Sequence, residues 1–436
     1  VVYLCRSEGH SREGTDSCRV YTTVGIVFSI PGQTMGFSVF TDVLMEQLQL
    51  SRVGLSTAYC IGTVASGLTL PWLGRVLDRW GERKMVVASS LVTGLVLLYL
   101  SVAANLTHRI AGWLPPESRT AVAFVVIGLG FYFIRMAAQG VLTMTCRNAI
   151  GKWFNHQRGL ALAISGVVVS FGFSSAPSFL DMLVERFTYQ GAWVVMGMAT
   201  IGIMAPLGWL LFRDTPEESG LEMDGGPPNT RRPENPDMQI HREYTRAEAL
   251  RTYSFWVFNL SFAYVGLFMT AFTFHIVSLG EAFGFTRTFI LSLFIPMAVV
   301  SVSTNLTFGW VNTRVRLKKL LFLVNLGSMI GSLGLLFLDS SWGVVAYVAG
   351  NGVAGGGFVN LMGNVYPRFF GRKWLGGIAG VGMSTTVIAS GLGPLLFGAS
   401  AEWAGGYQLA LIICIIVPGL LTLSSLFANN PQLRNR

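Results

Sequence analysis

Apolar stretches long enough to cross a membrane recur along the whole chain, and short polar segments separate them. A spanning helix needs about 20 mainly apolar residues, and over such lengths in lipid a helix satisfies its own backbone groups. The pattern therefore predicts an all-α membrane protein with twelve transmembrane helices. The predicted spans are 20–41, 53–76, 85–105, 120–145, 159–181, 191–212, 254–278, 288–311, 319–338, 342–366, 374–400 and 407–428.

Composition and charge agree with this pattern. Of the 436 residues, 52% are hydrophobic and only 12% are charged, about half the charge of a soluble protein. Lys and Arg concentrate in alternate loops, which by the positive-inside rule are cytoplasmic. This distribution explains the net charge of +9 without a nucleic-acid partner, and it predicts a plasma-membrane protein, most simply of a bacterial inner membrane, with both termini in the cytoplasm. The basic residues of the opposite side are Arg52, Arg109, Arg119, Arg186 and Arg287.

The spans divide into two halves that resemble each other. Gly159 and Pro177 in the first half recur at the same offset as Gly376 and Pro394 in the second. We therefore expect two pseudo-symmetric six-helix halves, with a substrate site between them. The expected divisions are a cytoplasmic tail (1–18), the first half (19–213), a cytoplasmic linker rich in Pro and charge (214–251), the second half (252–428) and a cytoplasmic tail (429–436).

The polar turn between the second and third spans has the spacing Gly-x-x-x-Asp-Arg-x-Gly-x-Arg-Lys, and its anchor residues are Gly74, Asp78, Arg79, Gly81 and Arg83. This turn resembles the signature loop of the major facilitator superfamily of secondary transporters. The resemblance implies alternating access and a cytoplasmic gate, in which Asp78 meets the start of helix 11 near Trp374 while Arg79 and Arg83 brace the contact. The corresponding turn of the second half, 309–314, lacks the acid.

Three further stretches are similar to the oxalate/formate-antiporter and monocarboxylate-transporter-like branch of that superfamily. They are Pro31-Gly32-Gln33-Thr34, Arg147-Asn148 followed by Trp153-Phe154, and Asp214 to Leu221. The resemblance implies an organic-anion substrate of monocarboxylate type, moved by symport or antiport. Carriers of this branch have an Arg in helix 8 or a Lys in helix 11, and this chain has neither, so another base must serve an anion.

Arg135 is the base best placed for that task. It lies in the middle of the fourth span, where a charge costs at least ~2.5 kcal/mol. No acid lies in the middle of any predicted span, and the nearest, Asp42 and Asp181, sit at outer ends. A guanidinium without a protein counter-ion suits a carboxylate substrate. Tyr132 and Gln139, one turn away on either side, complete a polar stripe of candidate substrate contacts on this helix, and Gln139 either donates to substrate or hydrogen-bonds a neighbouring helix.

Other candidates each have a functional and a structural interpretation. Gln33 and Thr34 follow a Pro-Gly kink and either contact substrate or join helices. Asn351 lies at a hinge or in a cavity wall. Tyr264 and Phe268 either pack or clamp an apolar substrate. His275 and Asp42 are candidates for proton coupling, although His275 equally suits an interfacial structural position.

The lack of a buried acid favours exchange, facilitated diffusion or symport of a weak acid, and argues against a pump for cationic drugs. We expect a monomer that moves a small molecule, with a proton or a counter-anion. No nucleophile–base or metal-binding pattern occurs, so we expect neither an enzyme nor a metal or other cofactor. Export of amphipathic compounds and ligand sensing without transport remain alternatives.

Overall fold

The computed structural model describes residues 8–225 and 240–435. Ten helical runs in this part of the chain are long and apolar enough to cross a membrane. One of them, Arg158–Leu211, has 54 residues and crosses twice, since about 20 residues suffice for one passage. A first helix broken into short pieces completes the twelve spans. Residues 1–7 of the predicted tail, 226–239 of the predicted linker and Arg436 lie outside the described residues.

The spanning helices follow one another in chain order. They are α1 (Glu8–Val27, continued by Ile30–Gly32, Thr34–Ser38 and Thr41–Leu48), α2 (Arg52–Trp80), α3 (Glu82–Ala111), α4 (Arg119–Ile134, Arg135–Leu142 and Thr143–Trp153), α5 (158–187), α6 (189–211), α7 (Tyr253–Ala282), α8 (Phe294–Val311), α9 (Leu317–Leu336), α10 (Ser341–Phe370), α11 (Leu375–Trp403) and α12 (Gln408–Ser425). Shorter helices are Pro116–Ser118, Glu217–Ser219, Met223–Gly225, Arg246–Leu250, Arg287–Ser292 and Pro431–Asn435.

The first span is interrupted at several points, whereas the sequence predicts a single Pro-Gly kink within 20–41. Regular helix ends at Val27, and a short 3-10 turn, Ile30–Gly32, follows. Pro31 lacks the N–H that would continue the ladder. Gly32 lies so close to α4 that a Cβ atom there would be 2.6 Å from Cβ of Ala138. The break therefore brings bare backbone of α1 against the middle of α4.

The fourth span is longer than predicted, and it changes helix type in the membrane. Residues Arg135–Leu142 form a π-helix within α4, and the helix then continues to Trp153 rather than ending near 145. Such π segments are frequent at functional sites. The extension places Arg147 inside a spanning helix, where the sequence had assigned it to a loop. Farther along, α5 and α6 are separated only by a kink at Thr188, with φ of 63°.

The two halves meet through close helix crossings at the end of the molecule that carries the turn around Gly81; we call this end the linker side. Helix α2 crosses α11 where a Cβ atom at Gly74 would overlap the carbonyl oxygen of Gly376. Helix α8 crosses α5 in the corresponding way, because a Cβ atom at Gly309 would lie 2.6 Å from the carbonyl oxygen of Gly159. Small residues permit such backbone approach. The crossings relate the halves by the predicted pseudo-symmetry.

The described parts of the linker lie against this end. The helix Arg246–Leu250 begins with a capping box, in which the Thr245 hydroxyl accepts from the Glu248 N–H and the Glu248 carboxylate accepts from the Thr245 N–H. This arrangement satisfies donors that a helix start would otherwise leave unpaired. Arg246 donates to the carbonyl oxygen of Pro71 in α2 at 3.4 Å, so the linker touches the first half as well as the second.

Candidate functional site

Arg135 is buried at the centre of the molecule, where its guanidinium connects the two halves. Its side chain is 1% exposed. Nη1 donates to the Gly32 carbonyl at 3.0 Å and faces the Thr34 hydroxyl at 3.5 Å, and Nη2 donates to the Ser390 hydroxyl of α11 at 3.2 Å. Its guanidinium carbon lies 5.1 Å from the centre of the Tyr59 ring. The broken α1 supplies the carbonyl, because the kink frees Gly32 from helical hydrogen bonding.

The electrostatics of this site are unbalanced. All the partners just described are neutral, and Nε has no hydrogen-bond partner among the described residues. Hydrogen bonds and the aromatic face satisfy part of the guanidinium, but they do not neutralise its charge. An anion between the halves would do so and would find donors pre-oriented in a fork geometry.

Polar side chains of α1 extend this centre. The Thr34 hydroxyl lies 2.9 Å from the Tyr59 hydroxyl. The Gln33 amide donates to the Ser29 hydroxyl at 3.3 Å, and the Thr143 hydroxyl donates to the same oxygen at 3.0 Å. The structure therefore brings Thr34 to Arg135, whereas the Gln33 amide bonds within α1 to Ser29, and Ser29 is the residue that joins α1 to Thr143 of α4.

The two other members of the predicted stripe on α4 differ from each other. Gln139 lies just beyond Arg135, and its Oε1 is buried without a hydrogen-bond partner among the described residues. Tyr132 is half-buried, with its ring 4.9 Å from that of Phe133. Residues 135–142 form a π-helix, so Arg135 and Gln139, four positions apart, are not aligned as they would be along one face of an α-helix.

Three predicted substrate contacts lie inside the second half instead. The Asn351 amide donates to the Tyr347 carbonyl at 3.1 Å, and this buried residue packs against α9. The Tyr264 hydroxyl donates to the Cys414 carbonyl at 2.7 Å, which joins α7 to α12. Phe268 is 2% exposed and stacks on its neighbours along α7. In this conformation all three side chains are packed within the second half.

The two coupling candidates lie apart from Arg135. Nε2 of His275 is 3.0 Å from the Pro394 carbonyl oxygen, to which it donates, and the ring stacks against Phe397 at 6.2 Å. This contact ties α7 to the Pro kink of α11. Asp42 is exposed in the first turn of Thr41–Leu48, where a negative charge is favoured by the helix dipole.

On the linker side, the carboxylate of Asp78 binds the start of α11. Its two oxygens accept from the N–H groups of Gly376 and Gly377, both at 2.6 Å. The first N–H groups of a helix have no partner within it and carry partial positive charge. The family resemblance led us to expect this contact, which joins the first half to the second.

The remaining residues of the motif act within the first half. Gly81 has φ of 82° and packs on the carboxylate of Asp214, a conformation and closeness that require glycine. The Arg83 side chain donates to the Trp209 carbonyl at 2.7 Å, and its backbone N–H donates to Asp214 at 2.8 Å. Arg83 therefore holds α3 to α6 rather than bracing the Asp78 contact, and Arg79 is exposed.

A sequence profile of the Major Facilitator Superfamily matches residues 22–304. The chain belongs to this superfamily. It is 23% identical over 357 residues to the uncharacterized MFS-type transporter YhjX of Escherichia coli, covering 78% of this chain and 77% of that protein. It is 24% identical over 381 residues to mouse monocarboxylate transporter 11, covering 84% and 74%.

Among solved structures, a bacterial homologue of the iron transporter ferroportin, in an outward-facing state with soaked iron, superimposes with a TM-score of 0.70. The match covers 94% of this chain and 98% of that one at 15% identity. The protein is thus a multi-pass secondary transporter of the major facilitator superfamily. In residues 8–225 and 240–435, no group of three His, Cys, Asp or Glu side chains is placed to hold a metal ion.

Some residues near the centre of this transporter were not among the candidate site residues predicted from the sequence. Tyr59 and Ser390 carry no charge and follow no periodic pattern that would separate them from ordinary helix contacts. Arg147 was visible as a base, but the predicted end of the fourth span at 145 placed it outside the membrane. Residues 146–153 include Arg147, Asn148 and Lys152, so the sequence gives no apolar signal that the helix continues to Trp153.

Proposed function

We propose that this transporter moves a small organic anion of monocarboxylate type across the plasma membrane by alternating access. The observation that carries the proposal is the buried guanidinium of Arg135. Among the described residues, its hydrogen-bond and aromatic partners are neutral and come from both halves. A carboxylate between the halves would supply the missing charge. The similarity to a monocarboxylate transporter points to the same class of substrate.

The same contacts suggest how binding is coupled to conformational change. Nη2 of Arg135 reaches Ser390 in the second half, while Nη1 stays with Gly32 in the first. When the halves rock, the contact with Ser390 lengthens and the guanidinium remains with the first half. A substrate carboxylate that occupies this gap stays bound to Arg135 in both states of the transport cycle. The linker side, rich in Lys and Arg, faces the cytoplasm in this proposal.

The decisive test is uptake of radiolabelled monocarboxylates by proteoliposomes containing Arg135→Gln. Removing the charge that pairs with the substrate should lower uptake at least a hundredfold, and Arg135→Lys should recover part of it. Asn351→Ala is the control, because among the described residues that buried amide donates only to the Tyr347 carbonyl within α10, and it should retain most of the activity. Wild-type-like uptake by Arg135→Gln would exclude the proposed role.

A second measurement addresses coupling and the alternative of a sensor. The described residues place no acid beside Arg135, and we propose that the substrate carries any coupled proton as a weak acid, or that it exchanges with another anion. Substrate-dependent acidification of a trapped pH dye supports the first, and stimulation by an internal anion supports the second. Thermal stabilisation by a carboxylate without flux in either assay would instead indicate a sensor.

A further inference from the structure

A small cavity lies between the halves, between Arg135 and the contact of Asp78 with the start of α11 on the linker side. Met144, Arg147 and Asn148 of α4 line it from the first half, and Tyr366 of α10 and Leu375 of α11 are among its walls in the second. Its volume of about 20 Å³ accommodates one water molecule. Arg147 lies about three helical turns, roughly 18 Å, beyond Arg135 on the same helix.

Two hydrogen-bond donors of this cavity are buried and unpaired. Nη1 of Arg147 and Nδ2 of Asn148 have no partner among the described residues, and Asn148 is 5% exposed. Buried donors are nearly always bonded, so each exception calls for a physical explanation. A guanidinium beside an amide NH2 presents donors only, which suits a carboxylate and repels a cation.

The opposite wall is held in place by its own hydrogen bonds. The Tyr366 hydroxyl donates to Oδ1 of Asn259 in α7 at 3.3 Å, and the Thr385 hydroxyl of α11 donates to the same oxygen at 2.8 Å. The wall therefore belongs to the second half, whereas the donors belong to the first. Separation of the halves widens the cavity without disturbing either side.

The cavity is also adjacent to the contact that closes the linker side. Leu375, which lines it, directly precedes Gly376 and Gly377, whose N–H groups Asp78 holds. Release of Asp78 lets the start of α11 withdraw, and this movement removes one wall of the cavity. The cavity around Arg147 therefore opens together with the linker side.

We infer that Arg147 and Asn148 form an inner carboxylate site, which receives the anion from Arg135 as the linker side opens. The inference rests on the proposed function, since it concerns the same substrate. In the closed state the cavity is too small for a carboxylate and holds at most a water. In the open state the two donors bind the anion before release, and they bind it first during transport in the reverse direction.

The test is the sidedness of the Michaelis constant in oriented vesicles, with lactate and pyruvate as probes. For Arg147→Gln, we expect KM measured from the linker side to rise at least tenfold, while KM from the opposite side stays within twofold. Arg147→Lys should restore most of the linker-side affinity. Arg135→Gln, in contrast, should impair transport from both sides. A purely structural role of Arg147 would change both sides equally.

Further variants and outcomes keep the two proposals distinguishable. Asn148→Ala removes the weaker donor and should raise the linker-side KM about threefold; it provides the test if Arg147→Gln does not fold. Equal changes on both sides, or none, with transport intact would overturn the inner site alone. Failure of the wild type to bind or move either carboxylate would overturn the proposed function together with this inference.

Discussion

Two segments on the linker side, the start of α11 and the turn 155–157 just before α5, are each bound by a carboxylate, but the carboxylates belong to different halves. At α11, Asp78 comes from the first half and accepts from Gly376 and Gly377, both at 2.6 Å. At α5, Asp224 follows α6 in the same half and accepts from the N–H groups of 155, 156 and 157 at 3.0, 2.8 and 3.1 Å. Only the first of these contacts must break when the halves separate.

This difference shows that pseudo-symmetric helices need not carry symmetric chemistry. The α2–α11 crossing combines close backbone approach with a charged hydrogen bond. At the α5–α8 crossing, the glycine pair is kept, but Asn312 stands beside it, with its carbonyl accepting from Arg368 of the same half at 2.8 Å. Of these two crossings, α2–α11 is therefore the one at which an ionic contact joins the halves, whereas the Asn360 amide donates to the Gly159 carbonyl beside the α5–α8 crossing without a charge.

Among the variants that test this comparison of the two crossings, Gly74→Val should have the largest effect, because it places a side chain at the α2–α11 contact itself. A Cβ atom there would overlap the Gly376 carbonyl and lie 3.1 Å from Cα of Gly380. Overpacking costs about 1–3 kcal/mol, occasionally more, so the linker side should fail to close and uptake should fall more than tenfold. Hydrogen–deuterium exchange of the α11 start should accelerate correspondingly.

The matched control for that variant is Gly202→Val in α6, where a new Cβ atom meets nothing within 4 Å. It introduces the same side chain into a spanning helix and should leave exchange at α11 unchanged. If Gly74→Val behaves like this control, close backbone approach at the crossing is not required for closure.

Asp78→Asn should have the next largest effect, because it keeps the shape and removes the charge. Hydrogen bonds to charged groups contribute about 1.5–3 kcal/mol, so the amides of Gly376 and Gly377 should exchange roughly tenfold to a hundredfold faster. Exchange at residues 155–157 should not change, and it serves as the internal control. An equal acceleration at both sites would mean general destabilisation and would contradict a specific role of the Asp78 contact in closing the linker side.

Much of the fold follows from the sequence, because span length depends only on bilayer thickness and backbone satisfaction. The interruptions are harder to predict. Pro31 and Gly32 indicated a kink, but the π-helical segment Arg135–Leu142 has no local composition signal. The helix end at Trp153 was missed because Arg147 looks like an interfacial base until packing shows that it is covered.

The charged residues of the candidate site were predictable, and so was Thr34 beside the Pro-Gly kink, whereas the uncharged Tyr59 and Ser390 were not. Arg135 was predicted because a charged side chain within the membrane is energetically costly and usually functional, and Asp78 was predicted from the family motif. Its partners at α11 depend on packing between halves, as does the contact of Arg135 with Ser390. Tyr264 and Phe268 illustrate the limit: in a helix that is apolar all round, sequence does not distinguish an aromatic that faces a cavity from one in the core.

A smaller effect is expected for Asp224→Asn, the counterpart of Asp78→Asn at α5. Asp224 has φ of 60°, which Asn adopts as readily as Asp, so the substitution changes charge and little else. Exchange at 155–157 should rise about fivefold, in line with about 1 kcal/mol for loss of a helix cap. Exchange at Gly376 and Gly377 and the transport rate should stay within twofold of wild type. A large transport defect would mean that the Asp224 contact before α5 also contributes to closing the linker side.

The smallest effect should come from Glu217→Gln at the rim between the halves. Burial opposes ionisation of Glu217, but hydrogen bonds from Arg372 and from its own backbone outweigh this, so its pKa lies below the ordinary value of 4.5. A depressed pKa means that the ion pair is fully formed at neutral pH and is lost only as the pH falls through that lower value. Transport should therefore show no dependence on this residue between pH 6 and 8.

The geometry of this pair explains why the substitution should matter little. The carboxylate lies 2.9 Å from Nη2 of Arg372, but the two side chains are 53% and 25% exposed, and such pairs contribute about 0–1 kcal/mol. Arg372 also donates to the Lys152 carbonyl across the halves at 2.9 Å, so it keeps a partner. We expect less than a twofold change in uptake and in exchange at α11. A change as large as that of Asp78→Asn would show that closure is shared along the rim, and that the single contact of Asp78 does not dominate it.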